Sequence, residues 1–86
     1  MMITFTELFK EKVKALPTDV KKTLKQKLAL MAENPRHPSL RSKKIKGCSD
    51  IFEASVTMSI RLTWQYSDGG IILRNIGEHD QTLAKP

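Results

Sequence analysis

Two side chains in this sequence have the chemistry to move a proton or hold a phosphate. His79 sits in the run Gly77-Glu78-His79-Asp80, just past an apolar stretch, in a chain with only two histidines. Arg61 sits inside a stretch that alternates apolar and polar residues, where a cation has no local structural task. Imidazole exchanges protons near neutral pH and serves as general acid or base. A guanidinium is planar and permanently charged, which suits a phosphate. Glu53 falls on the same polar face as Arg61. It could carry a second proton or simply pair with the arginine, and spacing alone does not choose between these. RNA cleavage without a metal needs such a set. A base takes the 2′-hydroxyl proton, cations stabilise the phosphorane-like charge, and an acid protonates the leaving 5′-oxygen. His79, Arg61 and Glu53 are the candidate catalytic residues.

The loop that would flank them is basic. Residues 34–49, NPRHPSLRSKKIKGCS, contain Arg36, Arg41, Lys43, Lys44 and Lys46 and no acid. Like charges on a short loop repel one another unless an anion relieves them. Arg41, Lys43, Lys44 and Lys46 are therefore candidate RNA contacts. His37, between two prolines, reads as a loop residue rather than a catalyst. The lysines of the second helix read as a solvated face.

Composition sets the scale. At 86 residues and net charge +6, the chain reads as one domain, residues 1–86. A chain this short buries roughly 60% of its unfolded surface, so chemistry belongs in a surface groove. The charge favours a polyanionic partner. No apolar run approaches a membrane span and the N-terminus lacks a signal-peptide layout, so a cytoplasmic location without membrane contact is expected. The lone Cys48 has no internal disulfide partner, and no Cys/His spacing suggests zinc. No metal or other cofactor is expected.

The elements that must position these residues follow from periodicity. Ile3 and Phe5 predict a short first strand. Thr6 caps a helix whose apolar face is Leu8, Phe9, Val13 and Leu16, ended by Pro17. Val20, Leu24, Leu28 and Met31 form the stripe of a second helix, and the short joint makes the pair a hairpin. After Asp50 the period becomes two. Phe52, Ala54 and Val56 alternate with Glu53, Ser55 and Thr57. Ile60, Leu62, Trp64 and Tyr66 alternate with Arg61, Thr63 and Gln65. A third strand, IILRNI, follows the turn signal SDGG, whereas Met58-Ser59 makes a tight turn between the first two. The expected class is α+β: a short strand and a two-helix hairpin packed on one face of a small antiparallel sheet. The other face stays exposed, with Arg61 on the floor of a groove, lysines on a wall and His79 at its end. Gly77 would let the chain turn sharply before His79.

In this order the pieces resemble the RelE/ParE toxins of bacterial type II toxin–antitoxin systems, in the YafQ/RelE-like subgroup. The matching runs are LPTDVKKTLKQKLALMAENPRHPSLRSKKIKG, DIFEASVTMSIRLTWQY and IILRNIGEHD. The resemblance implies a growth-arresting toxin, neutralised by a cognate antitoxin protein, that cuts mRNA in the ribosomal A site. It aligns Arg61 with the strand arginine that RelE-like nucleases use on the phosphate, and His79 with the catalytic histidine of YafQ-like members. Lys43, Lys44 and Lys46 match the basic loop turned toward RNA. Glu53 and Ser55 stand where RelE has lysines, and Leu83 takes the place of a stacking aromatic. Two alternatives share the fold: a ParE-like poison of DNA gyrase, and a catalytically weakened toxin retained as an antitoxin-binding protein.

Overall fold

The structure, a computed structural model, describes residues 2–86. Strand β1 (Met2–Phe5) leads into helix α1 (Glu7–Lys14) and helix α2 (Thr18–Glu33). A 3₁₀ turn (Pro38–Leu40) and a two-residue strand β2 (Lys43–Lys44) follow. Strands β3 (Phe52–Ser55), β4 (Ile60–Ser67) and β5 (Gly70–Glu78) form the meander, and helix α3 (His79–Ala84) ends the order.

The α+β class and the helix pair on one face of the sheet are as expected. The sheet itself is larger and mixed. Its order is β1-β5-β4-β3-β2, and β1 joins β5 in parallel while every other pairing is antiparallel. The helices that follow β1 carry the chain across one face before the meander begins, and the last meander strand, β5, returns to lie parallel to β1.

Hydrophobic burial holds the layers together. Leu62, Trp64, Ile71, Leu73 and Ile76 point from the sheet into a core completed by Phe9 of α1 and Leu24 and Met31 of α2. Val13, Leu16, Val20 and Leu28 pack at its margin. Leu8, expected on this face, is instead 45% exposed. Phe9, Val13 and Leu16 already complete the inward stripe, and Leu8 lies about 100° round the helix from Phe9. It lines a surface groove with Gln81 and Ala84 of α3. Thr6 begins α1 as predicted: its hydroxyl accepts from Phe9 N at 3.0 Å and donates to Arg74 O at 2.7 Å.

Two turns set the register. Asp68 and Gly69 both take positive φ, 30° and 79°, the conformation a two-residue hairpin needs to match strand twist. The β3–β4 connection is wider than a Met58-Ser59 turn. It spans residues 56–59, and both Val56 N and Thr57 N donate to Ile60 O. Further along, Thr63 pairs with Asn75 but Trp64 pairs with Leu73, so Arg74 is an extra residue in β5. This bulge lets Leu73 and Ile76, three apart, both face the core.

Gly70 is the point of closest approach between β1 and β5. A Cβ there would lie 2.1 Å from the Met2 carbonyl oxygen. Gly70→Ala is expected to detach the start of β1 and cost about 1–3 kcal/mol. Chemical denaturation measures the loss, and faster amide exchange confined to residues 3–5 locates it.

Candidate functional site

The face of the sheet away from α1 and α2 carries Glu53, Ser55, Arg61, Thr63, Gln65 and Asn75. It is not the open surface expected. Thr63 is 0% exposed, Asn75 5% and Glu53 7%. Helix α3 and the residues after it fold back over the middle of this face. Thr63 Oγ1 donates to Pro86 O at 3.0 Å, Asn75 Nδ2 to Lys85 O at 3.0 Å, and Arg74 Nε to Pro86 O at 3.1 Å. Arg74 Nη1 also donates to Gln65 Oε1. Buried polar side chains need partners, and here the backbone carbonyls of the tail supply them. Gly77 makes the return possible by lacking a side chain. A Cβ there would meet Thr82 Oγ1 at 2.9 Å, whereas its backbone is ordinary strand rather than a sharp turn.

What stays open lies at the β3–β4 end. Arg61 is fixed there by three carbonyls of its own turn: Nη1 donates to Thr57 O at 2.7 Å, Met58 O at 3.0 Å and Ile60 O at 3.4 Å. So Arg61 does have a structural task, contrary to the sequence reading. Its Nε lies 3.9 Å from Glu53 Oε1, with side chains only 19% and 9% exposed. Nη2 makes no hydrogen bond to the described residues. Arg61, Arg41 and Lys27 line one cleft of about 290 Å³, together with the hydroxyl residues Ser39, Ser55 and Thr57. Three cations on one concave surface create a positive potential that favours an anion. Lys27 had been read as a solvated helix lysine. Its Nζ instead donates to Ser39 O at 3.4 Å, which brings it over the basic loop.

The other predicted cations divide. β2 pairs Lys43 with Glu53 and Lys44 with Phe52. Successive strand residues point to opposite faces, so Lys43 shares the face of Glu53 while Lys44 stands over the Phe52 ring on the other. Lys46 is exposed in the turn beyond β2. His37 caps the 3₁₀ turn by accepting from Ser39 N at 3.1 Å, a structural role.

His79 is the first residue of α3, not part of a loop. Its backbone N donates to Ser59 O at 2.9 Å, which extends the β4–β5 ladder past the Ile60–Glu78 pair. Arg61 faces Gly77 across that ladder, so His79 and Arg61 sit two steps apart at the same end of the sheet. The imidazole is 44% exposed, with Nδ1 at 3.0 Å from Asp80 Oδ1. A carboxylate can only accept, so this contact assigns the proton to Nδ1 and leaves Nε2 open to a ligand. His79 does not line the three-cation cleft; its backbone is fastened to Ser59, the residue after Met58 of the cleft wall.

Solved structures share this arrangement of strands and helices. The E. coli DinJ–YafQ toxin–antitoxin complex matches with a TM-score of 0.77 over 93% of each chain at 16% identity. The intact E. coli RelBE toxin–antitoxin complex matches at 0.72 over 90% of this chain and 94% of that one, at 25% identity. The chain has the RelE-like toxin fold. The RelB–RelE complex of Methanococcus jannaschii agrees, at 0.70 over 91% and 92% of the two chains and 20% identity. No protein-family model and no curated protein matches the sequence. No helix among the described residues is long and apolar enough to cross a membrane.

Within this RelE-like sheet, Arg61 is tied to stability as well as to the site. Arg61→Ala removes charged hydrogen bonds from three carbonyls and leaves Glu53 nearly buried without its cation. The expected loss is about 2–4 kcal/mol. Glu53→Gln should recover part of it in the double variant, because the orphaned charge is gone. Urea midpoints of the four proteins measure the coupling, and strictly additive losses would exclude it.

Proposed function

We propose that the chain is the toxin of a type II toxin–antitoxin pair and that it cleaves mRNA on the ribosome without a metal. The observation that carries this is the convergence at one sheet end of Arg61, Arg41 and Lys27 around a cleft, with His79 fastened to Ser59 at that same end. The cleft takes the scissile phosphate. Arg61 meets it with Nη2 while Nη1 stays on the turn carbonyls, so the cation is aimed before substrate arrives and little reorganisation remains for the transition state. In its imidazolium form, with Nδ1–H on Asp80, His79 gives its Nε2 proton to the leaving 5′-oxygen while the attacking 2′-oxygen bonds to phosphorus and passes its own proton to water. Glu53 acts mainly through Arg61, since its side chain is 9% exposed and lies beside the guanidinium. The exposed cations Lys43 and Arg41 guide the RNA backbone toward the site. The toxin–antitoxin complexes that share the fold support a protein partner of the same kind for this chain.

Loss of a general acid typically costs about 10²–10⁴-fold in rate. His79→Ala should therefore abolish growth arrest on induction while the purified variant keeps the wild-type thermal midpoint. Mapped 5′ ends of mRNA from induced cells and from translating ribosomes should show new cuts with the wild type and none with the variant. A fully toxic His79→Ala protein removes the histidine from the mechanism. Growth arrest with intact mRNA but relaxed or broken DNA moves the protein to gyrase poisoning.

The partner is expected to be acidic where it meets the toxin, because the surface carries +6. A flexible acidic segment that orders on the cationic cleft fits this charge. The co-expressed pair should elute together from size exclusion at moderate salt and lose affinity as salt rises. Separate elution at moderate salt would count against the antitoxin assignment.

A further inference from the structure

On the opposite face, and at the opposite end of β4 from His79, lies a notch that the proposed chemistry does not use. β3 begins at Phe52, paired with Trp64, while β4 runs on to Ser67. Beyond Trp64 the edge of β4 therefore has no β3 partner. The space there, about 400 Å³, wraps the strand edge and is lined by Lys44, Asp50, Phe52, Gln65 and Tyr66. Tyr66 had been read as a core residue of the alternating strand, yet it is 52% exposed. Its ring is nonetheless held firmly. Trp64 lies edge-on to it at 5.0 Å and Phe52 at 5.8 Å, and those two rings stack on each other at 4.4 Å. Two cations converge on the same cluster: the Arg36 guanidinium is 5.1 Å from the centre of the Phe52 ring and Lys44 Nζ is 6.0 Å from it.

We infer that this notch is a second RNA-binding site, where an unpaired base stacks on Tyr66 and the adjoining phosphate is held by Lys44 and Arg36. An exposed aromatic ring fixed beside cations is the arrangement that takes single-stranded nucleic acid, because every base has a π face and every nucleotide a charge. Asp50 sets which part of the nucleotide lies beside it. Its carboxylate repels phosphate and carboxylate alike, but it accepts a hydrogen bond from the exocyclic amine of a base. The site therefore favours adenine over uracil. It takes from the proposed function only the choice of RNA as the polyanion. Because it sits on the far face of the sheet from Arg61, it holds a stretch of RNA other than the one at the cleft.

The test uses the full chain carrying His79→Ala, so that the probe stays intact, and a fluorescein-labelled deca-adenylate read by polarisation. Tyr66→Leu should weaken binding roughly five- to a hundredfold, the range expected for one stacked base. Tyr66→Phe keeps the ring and should bind within about twofold of its parent. Lys44→Ala should weaken binding and flatten its salt dependence. Deca-uridylate should bind less tightly than deca-adenylate, and Asp50→Asn should narrow that difference. Tyr66 is half exposed, so its truncation leaves little cavity, and an unchanged thermal midpoint confirms that the variant is folded. Unchanged affinity in folded Tyr66→Leu overturns the site. So does tighter binding of a poly-glutamate peptide that depends on Tyr66, which would make the notch a protein surface. Failure of the wild type to cut mRNA on ribosomes would strike the nuclease proposal alone, since Tyr66-dependent binding is measured without cleavage.

Discussion

The register between β4 and β5 is the constraint on which the other features depend. Eight pairs join the strands, and one extra residue, Arg74, separates the pairs Trp64–Leu73 and Thr63–Asn75. Below the bulge Ile71 and Leu73 enter the core; above it Ile76 does. Without the extra residue, strict alternation would turn Ile76 outward and Asn75 inward. The cost would be a large apolar side chain in water and an amide in the core, each worth a kilocalorie or more. The same step places Gly77 opposite Arg61 and carries the chain to Ser59, where His79 is fastened. A packing requirement in the core thus determines where the candidate acid stands.

The polar face then follows from hydrogen-bond supply. Thr63 and Asn75 are buried on it, with side-chain donors that the sheet cannot satisfy. The tail brings carbonyl oxygens to them, and Arg74, freed from the ladder by the bulge, reaches the same tail. The middle of the face is consumed in this way. Only the end beside the β3–β4 turn stays open, and there Arg61 divides its fork between three turn carbonyls and the cleft. Structure and the proposed phosphate binding share one side chain at that point. Its substitutions must be judged on folded protein.

Strong periodicity made most of the fold legible. Phe9, Val13 and Leu16, then Val20, Leu24, Leu28 and Met31, mark helix faces, and Phe52–Ala54 with Leu62–Trp64 mark strands, because burial leaves a regular trace in the sequence. Features made of backbone geometry leave none. β2 is two lysines, recognisable only from the strand it pairs with. α3 is six residues with a single large apolar side chain, too short for a period; its sequence signal was Glu78, which caps it by accepting from Gln81 N. Residue types alone marked the site candidates. His79, Arg61 and Arg41 come to the same end of the sheet, and Lys43 faces Glu53. Lys44 was misplaced because alternation sends it to the other face, and Lys27 was missed because a helix lysine carries no sign of which loop it will meet. Tyr66 looked like core because alternation does not tell where a neighbouring strand begins.

One consequence belongs to biosynthesis. The parallel partner of β1 is β5, and their paired residues lie 68 apart in sequence. The first strand to leave the ribosome must wait for the last. The helices can form meanwhile from local contacts, but β1 gains no ladder until Leu73 has emerged, and the buried threonine and asparagine of the polar face stay unsatisfied until the tail follows. A stalled or truncated nascent chain therefore carries all the loop cations and no finished groove. Closing the groove is therefore the last step in building this sheet, because β5 and the residues after it complete what β1 began.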